Sequence, residues 1–221
     1  MLHNETQDTT NTFTGRPLRV FIHTGEVSGD MQGALLVEAL ECQAAAQGIA
    51  IEISAMGGSR MAAAGAKLIG DTVSVSSIGL LEALPHVGAA LNLNRLAKKY
   101  LKESTPDVVV LIDYMGPNVA LGKFVRHQFP EVPIAYYIAP HLWVCATIPG
   151  DTAKILSVSD RILAIFPEEA RYYQNHGGDV SWVGHPLIDK FADYSPALAK
   201  QDARHQLGLE PTDCVVTLVT T

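Results

Sequence analysis

Residues 18–40 read LRVFIHTGEVSGDMQGALLVEAL, and the fold is decided by this stretch. LRVFI is apolar apart from Arg19, so Leu18–His23 is predicted to be a strand. From about Met31 to Gln47 the apolar residues recur at helical spacing, and Gly48 supplies a stop. Between them lies a turn that joins glycines (Gly25 and Gly29, with Gly33 following) to polar groups: Glu26, Ser28 and Asp30. A strand that runs through such a turn into a helix is the opening unit of an α/β sheet. In open sheets of that kind the turn sits at the carboxyl edge, where ligands bind.

The same alternation continues downstream. Strands are predicted at IAIEISAMG (49–57), DVVVLID (107–113), VPIAYYIAP (132–140), DRILAIFP (160–167) and VSWVG (180–184). DVVVLID is compact, β-branched and apolar on both faces, the pattern of a central parallel strand. Helices are predicted near 60–64, across 80–104 with Pro85 as a divider, at 117–127, and at 168–177 with Glu168 and Glu169 in the first turn, where the helix dipole favours acids. AKLIG and TVSVSSIG, on either side of Asp71, read as short β-like pieces. The expectation is a doubly wound, mostly parallel α/β sheet, Rossmann-like, with helices on both faces.

Composition narrows the function. The 221 residues are 48% hydrophobic, enough for a buried core. A net charge of -7 argues against nucleic acid as a partner. Cys42, Cys145 and Cys214 are far apart and form no CxxC pair, so neither a disulfide framework nor a thiolate zinc site is expected, and a reducing cytoplasm is. The polar start MLHNETQDTTNTFTG lacks a signal-peptide core, and no apolar run reaches the length of a transmembrane helix. The histidines form no metal pattern, and no cofactor is expected.

Candidate site residues fall at the predicted strand ends. The spacing Gly25, Gly29, Gly33 departs from GxGxxG, and no GK[ST] follows, so neither dinucleotide nor P-loop binding is indicated. Glu26 and Asp30 would repel a close phosphate but suit sugar hydroxyls, which donate to carboxylates. A tight structural turn capped by Ser28 or Asp30 explains the same residues. Asp113 leaves a buried strand and suits either a turn or a general base. Asn118 suits a helix cap or a substrate contact. His141, with Trp143, follows a Pro140 break and suits either ordinary packing or a loop over a sugar or apolar ligand. His185, in VGHPLID, is a further candidate contact.

The order of these motifs resembles that of the lipid-A-disaccharide synthase family. GEVSGDMQGA resembles its GE(A/V)SGD turn. AMGGSRMAAAG, SSIGLLEAL, PDVVVLIDYMGPN, YYIAPHLW, LAIFPEEARYY and WVGHPLID follow in the family's order, over nearly the whole chain. The resemblance implies the amino-terminal, acceptor-side domain of a GT-B glycosyltransferase, an inverting enzyme that joins UDP-2,3-diacylglucosamine to 2,3-diacylglucosamine 1-phosphate (lipid X). It implies Asp113 as base, with Glu26, Ser28, Asp30, Glu82 and Asn118 at the matching binding positions. It implies a donor domain following Thr221 as intramolecular partner, an inactive isolated chain, and work on the cytoplasmic side of a membrane. Contact with anionic lipid is expected near 80–102 through Arg95, Lys98, Lys99, Leu91, Leu93 and Leu96. On this reading residues 1–17 are a disordered tail, 18–190 the acceptor-side domain, 191–212 a linker with a short helix, and 213–221 the first strand of the donor domain. The alternatives are a noncatalytic binding or scaffold remnant, or another sugar-nucleotide enzyme. The chain departs from the family pattern at Ala139, Cys145, Met115 and Gly116.

Overall fold

Val108–Ile112 is the strand around which the molecule is built. Val109 and Leu111 enter one buried cluster with Phe21, Leu101, Val125, Ile134 and Tyr136. Val110 and Ile112 enter the other, with Val20, Ile22, Val37, Ile53 and Met61. Alternate side chains point to opposite faces, so a strand that is apolar throughout needs a cover on both sides. A computed structural model describes residues 15–76, 87–144, 150–191, 195–210 and 212–216.

Among the described residues the strands are β1 Leu18–His23, β2 Ile51–Gly57, β3 Lys67–Asp71, β4 Val108–Ile112, β5 Ile134–Tyr137, β6 Arg161–Ala164 and β7 Val180–Trp182. They form one seven-stranded sheet in the order β3-β2-β1-β4-β5-β6-β7. Every pairing is parallel. The helices are α1 Val27–Gln47, α2 Ser59–Ala63, α3 Val73–Ser76, α4 Val87–Glu103, α5 Met115–Gln128, α6 Asp151–Leu156, α7 Pro167–Asn175, α8 Pro186–Lys190 and α9 Pro196–Gln206. The doubly wound parallel sheet expected from the alternation is the fold observed.

Three local expectations are corrected. First, α1 begins at Val27 rather than Met31, with Glu26 at the N-cap and no side-chain cap bond. Ser28 and Asp30 therefore lie inside its first turns rather than capping it. Second, the piece after Asp71 is not β-like where it is described. The Asp71 carboxylate accepts from Ser74 N at 3.0 Å, which turns Val73–Ser76 into α3. Third, α5 starts at Met115, ahead of Pro117; a proline in the first turn costs no intrahelical bond. At the far end of α1, Gly48 takes φ 66° and its N–H reaches Ala44 O and Ala45 O, the expected stop.

The glycines of residues 25–33 provide space. A Cβ at Gly29 would lie 1.9 Å from Thr24 Oγ1, one at Gly33 2.4 Å from Met61 Sδ, and one at Gly25 2.0 Å from the Tyr114 ring. Bare backbone lets α1 lie tightly on β1, α2 and the turn after β4.

The chain divides into two units, Met1–Gly184 and His185–Thr221. In the first, Arg16 is fastened to Asp107 by paired bonds of 2.7 and 2.5 Å, so the polar start is anchored from there. In the second, His185 Nδ1 accepts from Leu187 N at 3.2 Å and caps α8, while Arg204 bonds the carbonyls of Glu210 and Asp213. Cys214–Val216 are exposed and carry no strand pairing. Residues 1–14 of the expected tail, Glu82, Cys145 and the run 217–221 lie outside the described residues.

Candidate active site

The sheet order locates a crevice. From β1 the chain passes through α1 to β2 on one side, and from β4 through α5 to β5 on the other. Connections that leave adjacent strands in opposite directions open a gap at their carboxyl ends, the usual ligand position in such sheets. Glu26 follows β1, Asp113 follows β4, and His141 follows β5, so the three share this edge. Their charges interact: Asp113 acts on Glu26, and His141 acts on Asp113.

Asp113 is a candidate proton acceptor at this edge. It is half-buried, and burial raises its carboxyl above the ordinary 3.8, with His141 and the Tyr114 N–H pulling the other way. A carboxylate made more basic by partial desolvation, at the mouth of a crevice, suits general-base work. Glu26 is more exposed. Its carboxyl is also raised, first by burial and then by Asp113. Ser28 is exposed one helical position beyond Val27, at the start of α1.

The backbone around Asp113 is unusual. Asp113, Tyr114 and Ile138 have φ of 46°, 44° and 54°. Non-glycine residues avoid this region, a β-branched one most of all, and each instance costs about 1–3 kcal/mol. Asp113 N donates to Ile138 O at 3.1 Å, so two of the strained residues are bonded to each other. Strain of this kind persists where surrounding structure holds it, and it clusters at functional sites.

Two expected contacts have other partners. Asp30 is 4% exposed, and its carboxylate accepts from Gly58 N, Arg60 N and Met61 N at 2.9, 3.1 and 3.2 Å. It caps the neighbouring helix α2, which gives this carboxylate a structural role. Asn118 is fully buried, with its amide bonded to the carbonyls of Ile112 and Asp113 and to His23. It lies beneath the crevice and holds the turn. His185 belongs to the second unit, where it caps α8.

Other residues at this edge have contacts that the sequence did not show. His23 is buried, and desolvation lowers its pKa from 6.5 to about 4, so its ring is neutral. The Tyr136 hydroxyl donates to Asp113 O at 2.8 Å. Glu169 is fully buried, and its carboxylate accepts from Ala139 N, Ile165 N and Phe166 N, tying together the ends of β5 and β6. Its acidity in the first turn of a helix was visible, but its reach back to two strand ends was not. His141 packs edge-on against Trp143 at 5.9 Å, and Trp143 against Phe166 at 5.7 Å.

A cavity of about 480 Å³ bordered by Arg19, Glu41, Glu52, Lys67 and Tyr100 opens at the amino ends of the strands and contains none of these residues. Among the described residues no group of His, Cys, Asp and Glu is arranged to hold a metal ion.

The model of the family described as lipid-A-disaccharide synthetase matches residues 20–221. The chain belongs to that family. It is 50% identical over 202 residues to lipid-A-disaccharide synthase of Gloeothece citriformis, covering 91% of this chain and 52% of that protein. It is 35% identical to the Geobacter metallireducens lipid-A-disaccharide synthase over 90% of this chain and 49% of that one. The chain thus spans about half the length of the curated family members it matches. Among solved structures, the S. aureus MnaA–UDP structure superposes with a TM-score of 0.60 at 15% identity, over 86% of this chain and 50% of that one. UDP-N-acetylglucosamine 2-epimerase from Rickettsia bellii does so with 0.58 at 13%, over 89% and 52%. At such identities these two likenesses show the fold alone.

Proposed function

We propose that this chain is the amino-terminal, acceptor-side domain of a lipid-A-disaccharide synthase. On this reading the whole protein transfers 2,3-diacylglucosamine from its UDP derivative to 2,3-diacylglucosamine 1-phosphate. The observation that carries the proposal is the half-buried Asp113 carboxyl at the gap between β1 and β4, in a family member. As the acceptor hydroxyl attacks the anomeric carbon, its proton passes to Asp113. The new C–O bond forms on the face opposite the bond to UDP, which breaks with its electron pair leaving on the diphosphate. Glu26 and Ser28 offer hydrogen-bond partners for the acceptor sugar at the same edge. The donor is held by the carboxyl-terminal half of the two-domain protein.

The acceptor assignment is tested by titrating 2,3-diacylglucosamine 1-phosphate, in detergent, into the isotope-labelled chain. Amide shifts are expected at Gly25–Ser28 and Asp113–Asn118. Shifts confined to other regions, or none at millimolar ligand, would remove the acceptor-side reading.

An acylated acceptor reaches the site from a lipid surface, and α4 is the proposed contact. Its Ala97 and Leu101 are fully buried against the sheet, while Leu91 and Leu96 are 53% and 40% exposed. Arg95, Lys98, Lys99 and Lys102 border one surface depression beside Glu103. Leu93, expected to face lipid, instead packs against the core and is removed from that role. Basic groups beside exposed leucines suit an anionic interface. Cosedimentation with phosphatidylglycerol vesicles is expected at low salt and lost at high salt. Binding that persists after all four basic residues are changed to Gln would sink the contact. No helix among the described residues is long and apolar enough to cross a membrane.

A further inference from the structure

We propose that Tyr136, Asn118 and His23 are positioning residues for the Asp113 carboxyl, acting through the main chain of the left-handed turn that carries it. The inference rests on the reading of Asp113 as the base. The Asp113 carbonyl accepts twice, from the Tyr136 hydroxyl at 2.8 Å and from Asn118 Nδ2 at 2.5 Å. Asn118 Nδ2 gives its other hydrogen to Ile112 O at 3.0 Å. With both amide hydrogens spent on carbonyls, the Asn118 oxygen is the atom that faces His23 Nδ1, at 2.5 Å. The histidine therefore carries its proton on Nδ1 and donates it. A neutral ring suits this buried place, where burial keeps the imidazole uncharged.

The grip comes from three elements. His23 ends β1, Tyr136 belongs to β5, and Asn118 lies in the first turns of α5. The turn after β4 is thus held from the strands on both of its sides. Asp113 and Tyr114 take consecutive left-handed conformations, which non-glycine residues leave unless they are restrained. Two hydrogen bonds on the carbonyl between them supply the restraint. Release would swing the Asp113 side chain relative to the groups that face it: Glu26, Tyr114, Tyr136, His141 and Tyr173.

Tyr136→Phe keeps the ring and deletes one hydroxyl. Tyr100→Phe is the control, since its ring borders the cavity at the amino ends of the strands, away from this edge. The Asp113 carboxyl is titrated by NMR in the 221-residue chain, and kcat and KM are measured in the complete transferase. Tyr136→Phe is expected to bring the Asp113 pKa down toward the ordinary carboxylate range. It is also expected to lower kcat by about 10- to 100-fold, the scale of a misplaced reacting group, with KM little changed. Tyr100→Phe is expected to leave both readings at wild-type values. Should Tyr136→Phe not fold, His23→Gln read by the same titration takes its place. An unmoved Asp113 titration with unmoved turnover, or an equal shift in the Tyr100 control, overturns the proposal. If Asp113→Asn itself keeps normal turnover, the base reading fails, and the positioning inference then stands or falls on the titration alone.

Discussion

Asp113→Asn in the complete transferase is expected to lower turnover by the 10²–10⁴-fold, in order of magnitude, that a positioned base contributes. The exchange removes the proton acceptor and little else. Asn is among the non-glycine residues most tolerant of a positive φ, so the 46° backbone at this position survives the change. The main-chain carbonyl still accepts from Tyr136 and Asn118. Denaturation midpoints should therefore stay close to wild type, which separates lost chemistry from lost fold. Because burial raises the Asp113 carboxyl, the acid limb of the wild-type rate profile should lie above the ordinary carboxylate value of 3.8. That limb should vanish in the variant. UDP release at a near-normal rate would take Asp113 out of the role and shift it to Glu26, the other carboxylate at this edge.

The second large effect is on stability. The folded state holds His23 neutral down to about 4, whereas the unfolded chain protonates it near 6.5. The unfolded state therefore binds more protons between these values. Stability from this group is complete above 6.5 and is lost as pH falls toward 4, by about 3 kcal/mol at roughly 1.4 kcal/mol per pH unit. Asp113 and Glu26 work in reverse. Their raised carboxyls favour the folded state at low pH and lose that contribution as pH rises through their folded values. Urea denaturation of wild type and His23→Gln across the range isolates the histidine as the difference between two curves. The wild type should fall more steeply on acidification. Curves that run parallel would mean that His23 is not held neutral.

The architecture was legible because β4 is apolar on both faces and because each apolar strand run is followed by a helical period. The edge shared by Glu26, Asp113 and His141 was legible for the same reason: Asp113 follows its strand directly, and Glu26 and His141 come within four residues of the ends of theirs. What each side chain does was less so, since its partners are distant in sequence. Asp30 is bonded to amides about thirty positions away, around Gly58 and Met61. Asn118 reads as a helix cap or a ligand contact until His23, 95 positions earlier, is seen against its oxygen. Met31 looked like the start of α1 because Ser28, Gly29 and Asp30 are poor helix formers. Tertiary packing of Gly29 on Thr24 and of Asp30 on α2 outweighs that preference. Nothing in the composition of IAP announces that Ile138 adopts φ 54°.

Glu169 has a consequence for how freely this edge can change its chemistry. The carboxylate grips Ala139, Ile165 and Phe166 by their amide nitrogens alone. Every residue except proline offers the same amide, so an exchange for which the surrounding core has room leaves the joint between β5 and β6 hydrogen-bonded; Ala139 and Ile165 are themselves buried. Ala139, where the family pattern has serine, is such an exchange. The loop that begins there can then change its side chains while its backbone stays anchored, by the Glu169 carboxylate on Ala139 N and by the Tyr173 hydroxyl on Pro140 O.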